Sequence, residues 1–267
     1  MFVDSHCHLS FPELRASLPD IRAAMAAAQV DRALCICTTL EEFESVHALA
    51  MSHDNFWCTA GVHPDNEGVL EPRLEDLLAL AARPKVVGLG ETGLDYYRLN
   101  GRSLEDMAWQ RERFRVHIRA ARATGLPLVI HTRCASQDTL DILREEGQGQ
   151  VRGVFHCFTE TLEVAQEAMA LGFMISFSGI LTFKNAVDLK AVARAVPLER
   201  CLIETDSPYL APAPHRGKTN NPSYVPLVAT ELARLKDLPL DAVAEASSRN
   251  FETLFGPTVC LPGWVGT

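Results

Sequence analysis

Two histidines, His6 and His8, stand two positions apart in the stretch DSHCHL, directly after the apolar residues 1–3. Alternate residues of a β-strand project to the same side, so an extended stretch points both imidazoles one way. Imidazole nitrogen is a common ligand of zinc, manganese and iron in proteins. The pair is only moderately specific by itself, and a metal site needs further side chains from elsewhere in the chain.

A histidine or a carboxylate follows most of the other short apolar runs. His63 follows the run that ends in AGV, Glu91 follows KVVGLG, and His131 ends PLVIH. His156 lies in GVFHCF, and Asp206 follows CLIET. If these runs are parallel strands of a barrel, their carboxyl ends open on one face, where the active sites of such barrels lie. Residues far apart in sequence would then converge.

Four imidazoles and two carboxylates exceed the needs of one tetrahedral ion. The six predicted metal ligands are His6, His8, Glu91, His131, His156 and Asp206. Two divalent ions bridged by Glu91 fit this set better, and Mg²⁺, Mn²⁺ or Zn²⁺ would suit it. Two such ions activate water and clamp the oxygens of a phosphoryl or acyl centre, so the predicted chemistry is hydrolysis.

Each candidate residue also has a simpler interpretation. Glu91 alone could be a turn carboxylate, and Asp206 alone could cap a helix. Their coincidence with histidines at other strand ends favours the metal site. The remaining histidines within helical patterns, His47, His53 and His117, are interpreted as structural.

The elements that must position these residues follow an alternating pattern of strands and helices. The predicted strands are 1–3 running into the histidines, 33–39, 56–62, 85–90, 126–131, 153–158, 173–178 and 201–204. The predicted helices are 19–29, 39–53, 73–83, 106–125, 136–147, 161–172, 185–197, 225–236 and 240–256. Eight such units favour a single-domain α/β fold, the TIM (β/α)8 barrel, over 1–256. A doubly wound sheet is the alternative, and residues 257–267 are predicted to be a C-terminal tail.

Composition narrows the class of protein. The chain has 267 residues, of which 47% are hydrophobic, and a formal net charge of −9. An acidic chain is a poor candidate for coating long nucleic acids, whose binding depends on phosphate neutralisation. A short or single-stranded end, held locally by metal ions, stays compatible with this charge.

Location and redox state are also predicted from the sequence. No apolar stretch is long enough for a transmembrane helix and no signal peptide is evident, so we expect a cytoplasmic protein without a membrane partner. The eight cysteines contain no CxxC pair and mostly lie in apolar runs, so we expect reduced, buried thiols.

Several motifs together resemble the TatD-related metal-dependent hydrolases and deoxyribonucleases of the amidohydrolase superfamily, most of all the bacterial branch often labelled YcfH-like. The motifs are DSHCHL, GVHP, GLGETGLDYY, IHTR, HCFTET, GFMISFSGILTFKNA and ETDSPYLAP. With PHRGKTNNP and SRNFETLFG they extend from residue 4 to residue 256. No single motif is specific, but the set is.

The resemblance implies a division of labour among the candidate residues. His6, His8 and Asp206 would hold one ion, His131 and His156 a second, and Glu91 would bridge the two. Asp206 would also orient or deprotonate the attacking water. His63 would contact a substrate phosphate or assist the leaving group, so the catalytic residues are Asp206, Glu91 and His63.

The resemblance also implies a substrate class. A 3′-to-5′ exodeoxyribonuclease acting on single-stranded DNA, with RNA as a further substrate, is the expected activity, in a monomer or weak dimer. The alternative is a metal-dependent ester or amide hydrolase, such as a D-aminoacyl-tRNA deacylase.

Residues around the expected site have two interpretations each. Arg133 binds substrate phosphate or forms a salt bridge, and the loop residues Arg216 and Lys218 bind phosphate or are solvated. The three tyrosines near the mouth stack on bases or simply pack; they are Tyr96, Tyr97 and Tyr209. The family commonly has an acidic residue where this chain has Cys134, which we do not expect to be a ligand.

Overall fold

Eight strands lie within residues 1–256, the part of the chain that the computed structural model describes, and they form one parallel sheet in sequence order. The strands are β1 (Phe2–Cys7), β2 (Val30–Cys35), β3 (Phe56–Ala60), β4 (Val86–Asp95), β5 (Leu128–Arg133), β6 (Gly153–Phe155), β7 (Phe173–Phe177) and β8 (Cys201–Ile203). Every predicted strand is present, and the predicted TIM barrel is confirmed.

Ten α-helices surround the barrel in the same part of the chain. They are α1 (Pro12–Arg15), α2 (Leu18–Ala27), α3 (Phe43–Met51), α4 (Leu74–Ala81), α5 (Ala108–Thr124), α6 (Ser136–Gly147), α7 (Leu162–Ala170), α8 (Val187–Ala195), α9 (Val225–Lys236) and α10 (Leu240–Phe255). None of the helices among residues 1–256 is long and apolar enough to cross a membrane.

Nine of these helices were predicted, with ends that differ by a few residues, and the single-turn α1 was missed. The predicted helix 39–53 begins later, at Phe43, because residues 40–42 form a turn. At that turn, the hydroxyl of Thr39 accepts a hydrogen bond from the amide of Glu42 at 3.2 Å. Thr39 therefore stabilises the approach to α3 rather than its first turn.

The barrel interior is filled by one buried apolar residue from each strand. These residues are Val3, Leu34, Trp57, Val87, Val129, Val154, Met174 and Leu202. Phe251, Leu254 and Phe255 of α10 join the same cluster, so the C-terminal helix contributes to the barrel core. This interior is a packed core and no channel, as in other barrels of eight strands.

The barrel closes between β8 and β1 at a short seam. The amide of Asp206 donates to the carbonyl oxygen of His6 at 3.0 Å, and the amide of His8 donates to that of Ser207 at 2.8 Å. Cys7 and Ser207 form a parallel bridge there. The first and last strands thus meet at three of the predicted metal ligands.

Strand β4 is longer than predicted and continues through Glu91 to Asp95. A β-carbon on Gly93 would lie 2.0 Å from the carbonyl oxygen of His131, and its φ is +128°. Only glycine therefore permits this close approach of β4 to β5. Glu91 lies within a strand, not after its end, at an irregularity in the β4–β5 register between Leu89 and Thr92. Its amide donates a hydrogen bond to the carbonyl oxygen of Cys37 at 2.8 Å.

The cysteines in the described residues are all free, as predicted. Five are buried, Cys157 is half-buried and Cys134 is exposed. The predicted C-terminal tail of 257–267, with Cys260, lies outside the described residues.

Candidate metal centre

Glu91 lies at the centre of the cluster, and its two carboxylate oxygens face different histidines. Oε2 lies 3.3 Å from Nε2 of His6 and 3.9 Å from Nε2 of His8. Oε1 lies 3.2 Å from Nδ1 of His131 and 2.8 Å from Nε2 of His156. Glu91 is almost completely buried, so its charge is little screened by solvent.

Asp206 completes the group on the Oε2 side. Its Oδ1 lies 3.5 Å from Nε2 of His8 and 3.6 Å from Nε2 of His6. We call His6, His8 and Asp206 the Oε2 half, and His131 and His156 the Oε1 half. The structure therefore brings all six predicted ligands together, although His156 of the Oε1 half also groups with His6 and Asp206.

Two carboxylates that were not predicted lie behind the Oε1 half. Oδ2 of Asp95 lies 2.9 Å from Nε2 of His131, and Oε1 of Glu204 lies 3.2 Å from Nδ1 of His156. Residues 91, 93 and 95 alternate along β4, so a longer predicted strand would have placed Asp95 on the face of Glu91. The sequence prediction ended that strand at residue 90 and therefore did not identify Asp95 as a residue of the site.

Asp4 is a third unpredicted carboxylate, and it fixes the turn before Asp206. Its Oδ1 accepts a hydrogen bond from the amide of Thr205 at 2.9 Å, and its Oδ2 accepts one from the Thr205 hydroxyl at 2.5 Å. Burial raises the pKa of Asp4 to about 8. Asp4 therefore links β1 to the segment that carries Asp206.

His63 approaches Glu91 from the loop after β3. Its Nε2 lies 3.3 Å from Oε1 of Glu91, and its Nδ1 accepts a hydrogen bond from the amide of Asp65 at 3.0 Å. A backbone amide can only donate, so neutral His63 must carry its proton on Nε2. Nε2 is then a hydrogen-bond donor and not a ligand, although His63 is close enough to be grouped with Glu91 and His131.

His117 holds the loop that carries His63, as a structural histidine should. Its Nε2 accepts a hydrogen bond from the amide of Val62 at 3.1 Å. Its Nδ1 lies 2.8 Å from the carbonyl oxygen of Arg113, to which it donates. Both ring nitrogens are thus used in the neutral form, and burial lowers the pKa of His117 to about 4.

This histidine should make stability depend on pH. Between pH 6.5 and pH 4 the unfolded chain binds a proton at His117 that the folded chain does not, so stability falls as pH falls through this window. Relative to His117→Gln, we expect the native protein to lose about 2 kcal/mol of unfolding free energy between pH 7 and pH 5. Urea unfolding of both proteins at the two pH values measures this difference. Parallel pH dependences for the two proteins would contradict the prediction.

Without a cation, the charges in the cluster favour a protonated His156 beside an ionised Glu91. Burial alone would raise the pKa of Glu91, but the surrounding histidines, His156 first, hold it well below its usual value. Burial alone would lower the pKa of His156, but the charges of Glu91 and Glu204 raise it well above its usual value. A divalent ion must displace such protons, so metal binding at this site should release protons and weaken at low pH.

The residues present fit a metal centre. Three overlapping groups of possible ligand atoms lie within 4.8 Å of one another: His6, His156 and Asp206; His6, His8 and Glu91; His63, Glu91 and His131. Nε2 of His156 is buried and lies 2.8 Å from Oε1 of Glu91 without the alignment of a hydrogen bond. Imidazole nitrogens and carboxylate oxygens are the donor set of zinc and manganese sites.

The cluster opens into a cleft of about 730 Å³ at the carboxyl ends of the strands. Arg133 lines this cleft, and its guanidinium carbon lies 3.5 Å from the ring centroid of Tyr97. Tyr209 lines the cleft beside Phe11, and both Tyr97 and Tyr209 are more than half exposed. Apolar rings and a cation therefore flank the cluster.

Other predicted substrate contacts lie elsewhere. Arg216 lies 3.5 Å over the ring of Phe183 and is not among the residues that line the cleft. Lys218 does not line the cleft either. Tyr96 is buried and its hydroxyl donates to Asp138 at 2.7 Å, so the packing interpretation holds for Tyr96. Cys134 is exposed and belongs to none of the three ligand groups.

A parallel β/α barrel with buried imidazoles and carboxylates at the carboxyl ends of its strands defines a metal-dependent hydrolase by fold and site. Residues 3–256 match the TatD related DNase family. The chain therefore belongs to the TatD-related family, as its motifs predicted.

Similar proteins span nearly the whole chain. An uncharacterized metal-dependent hydrolase, YcfH of Escherichia coli K12, is 47% identical over 257 residues, which are 95% of each chain. A 3′-5′ ssDNA/RNA exonuclease, TatD of Escherichia fergusonii, is 31% identical over 95% of this chain and 98% of its own. The crystal structure of YjjV, a TatD homologue from Escherichia coli K12, has a TM-score of 0.88 at 28% identity and covers 95% of this chain and 97% of that one.

Proposed function

We propose that this hydrolase cleaves phosphodiester bonds with two divalent ions, Mg²⁺, Mn²⁺ or Zn²⁺, as a 3′-to-5′ exonuclease on single-stranded DNA or RNA. The observation that carries the proposal is the central carboxylate, whose two oxygens face two separate sets of ligand atoms. Such a pair of ions lowers the pKa of the attacking water and neutralises charge on the phosphoryl oxygens. The exonuclease named among the relatives supports the choice of substrate.

Asp206 is the proposed proton acceptor. Its Oδ1 belongs to the Oε2 half, and the residue also lines the cleft, where the attacking water must enter. Burial would raise the pKa of Asp206, but hydrogen bonding to His8 and the charges of the histidines hold it below its usual value. The carboxylate is therefore ionised at neutral pH and competent to orient or accept a proton.

His63 is the proposed contact to the phosphate or the leaving oxygen. Its Nε2–H points into the cluster, since Nδ1 is occupied by the amide of Asp65. Burial lowers the pKa of His63, so the neutral ring donates a hydrogen bond rather than carrying a full charge. This favours stabilisation of developing negative charge over transfer of a proton.

Arg133 and the exposed tyrosines are the proposed contacts to the rest of the strand. The guanidinium is held on the Tyr97 ring and has no ion pair among the described carboxylates, so its N–H donors are available to a phosphate. Tyr209 offers a ring at the edge of the cleft for a base. A single strand exposes both its phosphates and its bases to these contacts, whereas the bases of a paired end are stacked inside the duplex.

An aminoacyl ester is the second candidate substrate, because metal centres of this type also hydrolyse esters and amides. Parallel assays on single-stranded DNA, RNA, D-aminoacyl-tRNA and bis-p-nitrophenyl phosphate, with each metal and with chelator, test both. Stepwise metal-dependent shortening from the 3′ end is the expected result. Faster deacylation than oligonucleotide cleavage, or no phosphodiester cleavage with any of the three metals, would refute the proposal.

Arg133→Ala should weaken binding of oligonucleotides more than turnover. A charge-assisted contact to one phosphate contributes about 1.5–3 kcal/mol, so we expect KM for a single-stranded oligonucleotide to rise about tenfold or more. The small diester bis-p-nitrophenyl phosphate lacks the neighbouring phosphate and should be cleaved almost normally. Steady-state kinetics on the two substrates measure the contrast.

Arg152→Ala is the matched control, because it removes one exposed arginine just before β6, at the opposite end of the barrel. Arg216→Ala in the same assay decides whether the loop arginine also contacts substrate. An equal loss on both substrates for Arg133→Ala would assign this arginine to the architecture of the site instead.

A further inference from the structure

The histidines of the two halves differ in what holds their remote ring nitrogens. In the Oε1 half, the nitrogen of each histidine that faces away from Glu91 meets a carboxylate: Asp95 behind His131, and Glu204 behind His156. In the Oε2 half, Nδ1 of His6 and Nδ1 of His8 are buried and have no hydrogen-bond partner among the described residues. Those two rings are positioned by stacking, on His156 and Phe11 respectively.

From this asymmetry we infer that Asp95 and Glu204 are positioning residues for the ion of the Oε1 half. A carboxyl oxygen that faces a ring nitrogen as an acceptor fixes the proton on that nitrogen, and Oε1 of Glu204 already accepts from the amide of Cys157. The lone pair of His131 is then committed to Nδ1 and that of His156 to Nε2, both toward Oε1 of Glu91. The inference rests on the proposed metal centre but not on its substrate.

The two carboxylates are themselves held in place. Oδ1 of Asp95 accepts a hydrogen bond from the amide of Tyr97 at 2.8 Å, while Oδ2 faces His131. Oε1 of Glu204 accepts one from the amide of Cys157 at 2.7 Å as well as the one from His156. Both side chains are buried, so each ring is oriented by a carboxyl group that is little exposed to solvent. Such partners also make the imidazole a stronger ligand.

Glu204 and Asp95 use their carboxyl oxygens differently, so their amide variants should differ in effect. Glu204 serves both donors with Oε1, so Glu204→Gln can keep both hydrogen bonds through its amide oxygen. It loses the charge and places its NH₂ group at the buried Oε2 position, which has no partner among the described residues. Asp95 uses both oxygens, so Asp95→Asn must present an NH₂ group either to the amide of Tyr97 or to His131. We therefore expect Asp95→Asn to be the more damaging of these two conservative variants.

The first test measures ion binding rather than turnover. Competition of Zn²⁺ or Mn²⁺ between the protein and a chelator should show that both variants weaken one bound ion by about 10–100-fold and leave a second ion nearly unchanged. Glu204→Ala, which removes charge and hydrogen bonds together, should lose more than Glu204→Gln. Asp138→Asn and Glu160→Gln are matched controls, since their carboxylates accept from Tyr96 and Ser136 and contact none of the six ligands.

The second test needs no variant and so does not depend on the folding of one. Long-range ¹H–¹⁵N spectra of the Zn²⁺-loaded native protein report which ring nitrogen carries hydrogen. We expect His131 to be bound through Nδ1 with hydrogen on Nε2, and His156 to be bound through Nε2 with hydrogen on Nδ1. The reverse assignment for either ring would overturn the inference, as would unchanged ion affinity in folded Asp95→Asn and Glu204→Gln proteins.

Failure of the inference can be told apart from failure of the proposed function. If the native protein binds ions in this way but cleaves no phosphodiester, the proposed substrate is wrong and the positioning role stands. If phosphodiesters are cleaved while both variants bind ions normally, the positioning role is wrong and the proposed function stands.

Discussion

Glu91→Gln is expected to lower kcat for phosphodiester cleavage by about 10³-fold or more, since loss of even one preorganised charge-stabilising group costs 10²–10³-fold in well-studied hydrolases. The native carboxylate has histidine nitrogens of both halves within 4 Å, so it is the only described residue that contacts both ligand sets with separate oxygens. Glutamine keeps the shape but offers one oxygen and one NH₂ group. Ion stoichiometry, measured after dialysis against limiting metal, should fall together with activity.

Glu160→Gln supplies the control for this change, because its carboxylate accepts a hydrogen bond from Ser136 and contacts no predicted ligand. It should bind ions and turn over substrate as the native protein does. Full activity of a folded Glu91→Gln protein would show that the central carboxylate does not bridge ions, and the two-ion proposal would be lost with it.

Asp206→Asn should separate proton transfer from ion binding. Asparagine can keep an oxygen near His6 and His8 but cannot accept a proton, so we expect kcat to fall about 10²–10⁴-fold with a smaller loss of ion affinity. The pH–rate profile should lose its acidic limb, which reports the carboxylate that must be ionised. Kinetics between pH 5 and pH 9, at saturating metal, measure both effects.

Asp138→Asn is the comparison for this variant, since the Asp138 carboxylate accepts from Tyr96, lies 4.0 Å from Arg111 and contacts none of the six ligands. If Asp206→Asn kept its native pH profile while losing ions, Asp206 would be a ligand without a role in proton transfer. The proposed acid–base assignment would then pass to another group in the cleft.

The sequence predicted the class of the fold and the six clustered residues because both depend on simple patterns. Strand runs such as PLVIH end in a candidate ligand, here His131, and parallel strands bring their carboxyl ends to one face of the barrel. Even where the strand boundary was wrong, as at β4, the error left Glu91 on the correct face. The order of elements constrains this site more strongly than their exact ends do.

The supporting carboxylates could not be found in the same way. Asp4 and Glu204 lie in quoted motifs, but their partners, Thr205 and His156, are distant in sequence or on another strand. Which ring nitrogen of a histidine is free depends on such partners, and no spacing rule encodes it. The same limit applies to Arg133, which lines the cleft, and Arg216, which does not. Whether an arginine reaches the cleft depends on the path of its loop, which the residue type does not determine.

Hydrogen exchange at the seam between β1 and β8 should report whether the ligands on these two strands stay together. The amides of His8 and Asp206 are bonded across the seam, so we expect them to exchange with solvent only when the seam opens. Such an opening would also separate His6 and His8 from Asp206. An ion held by these three residues cross-links the first strand to the last, and the exchange rates of two backbone amides then report its occupancy without any substrate.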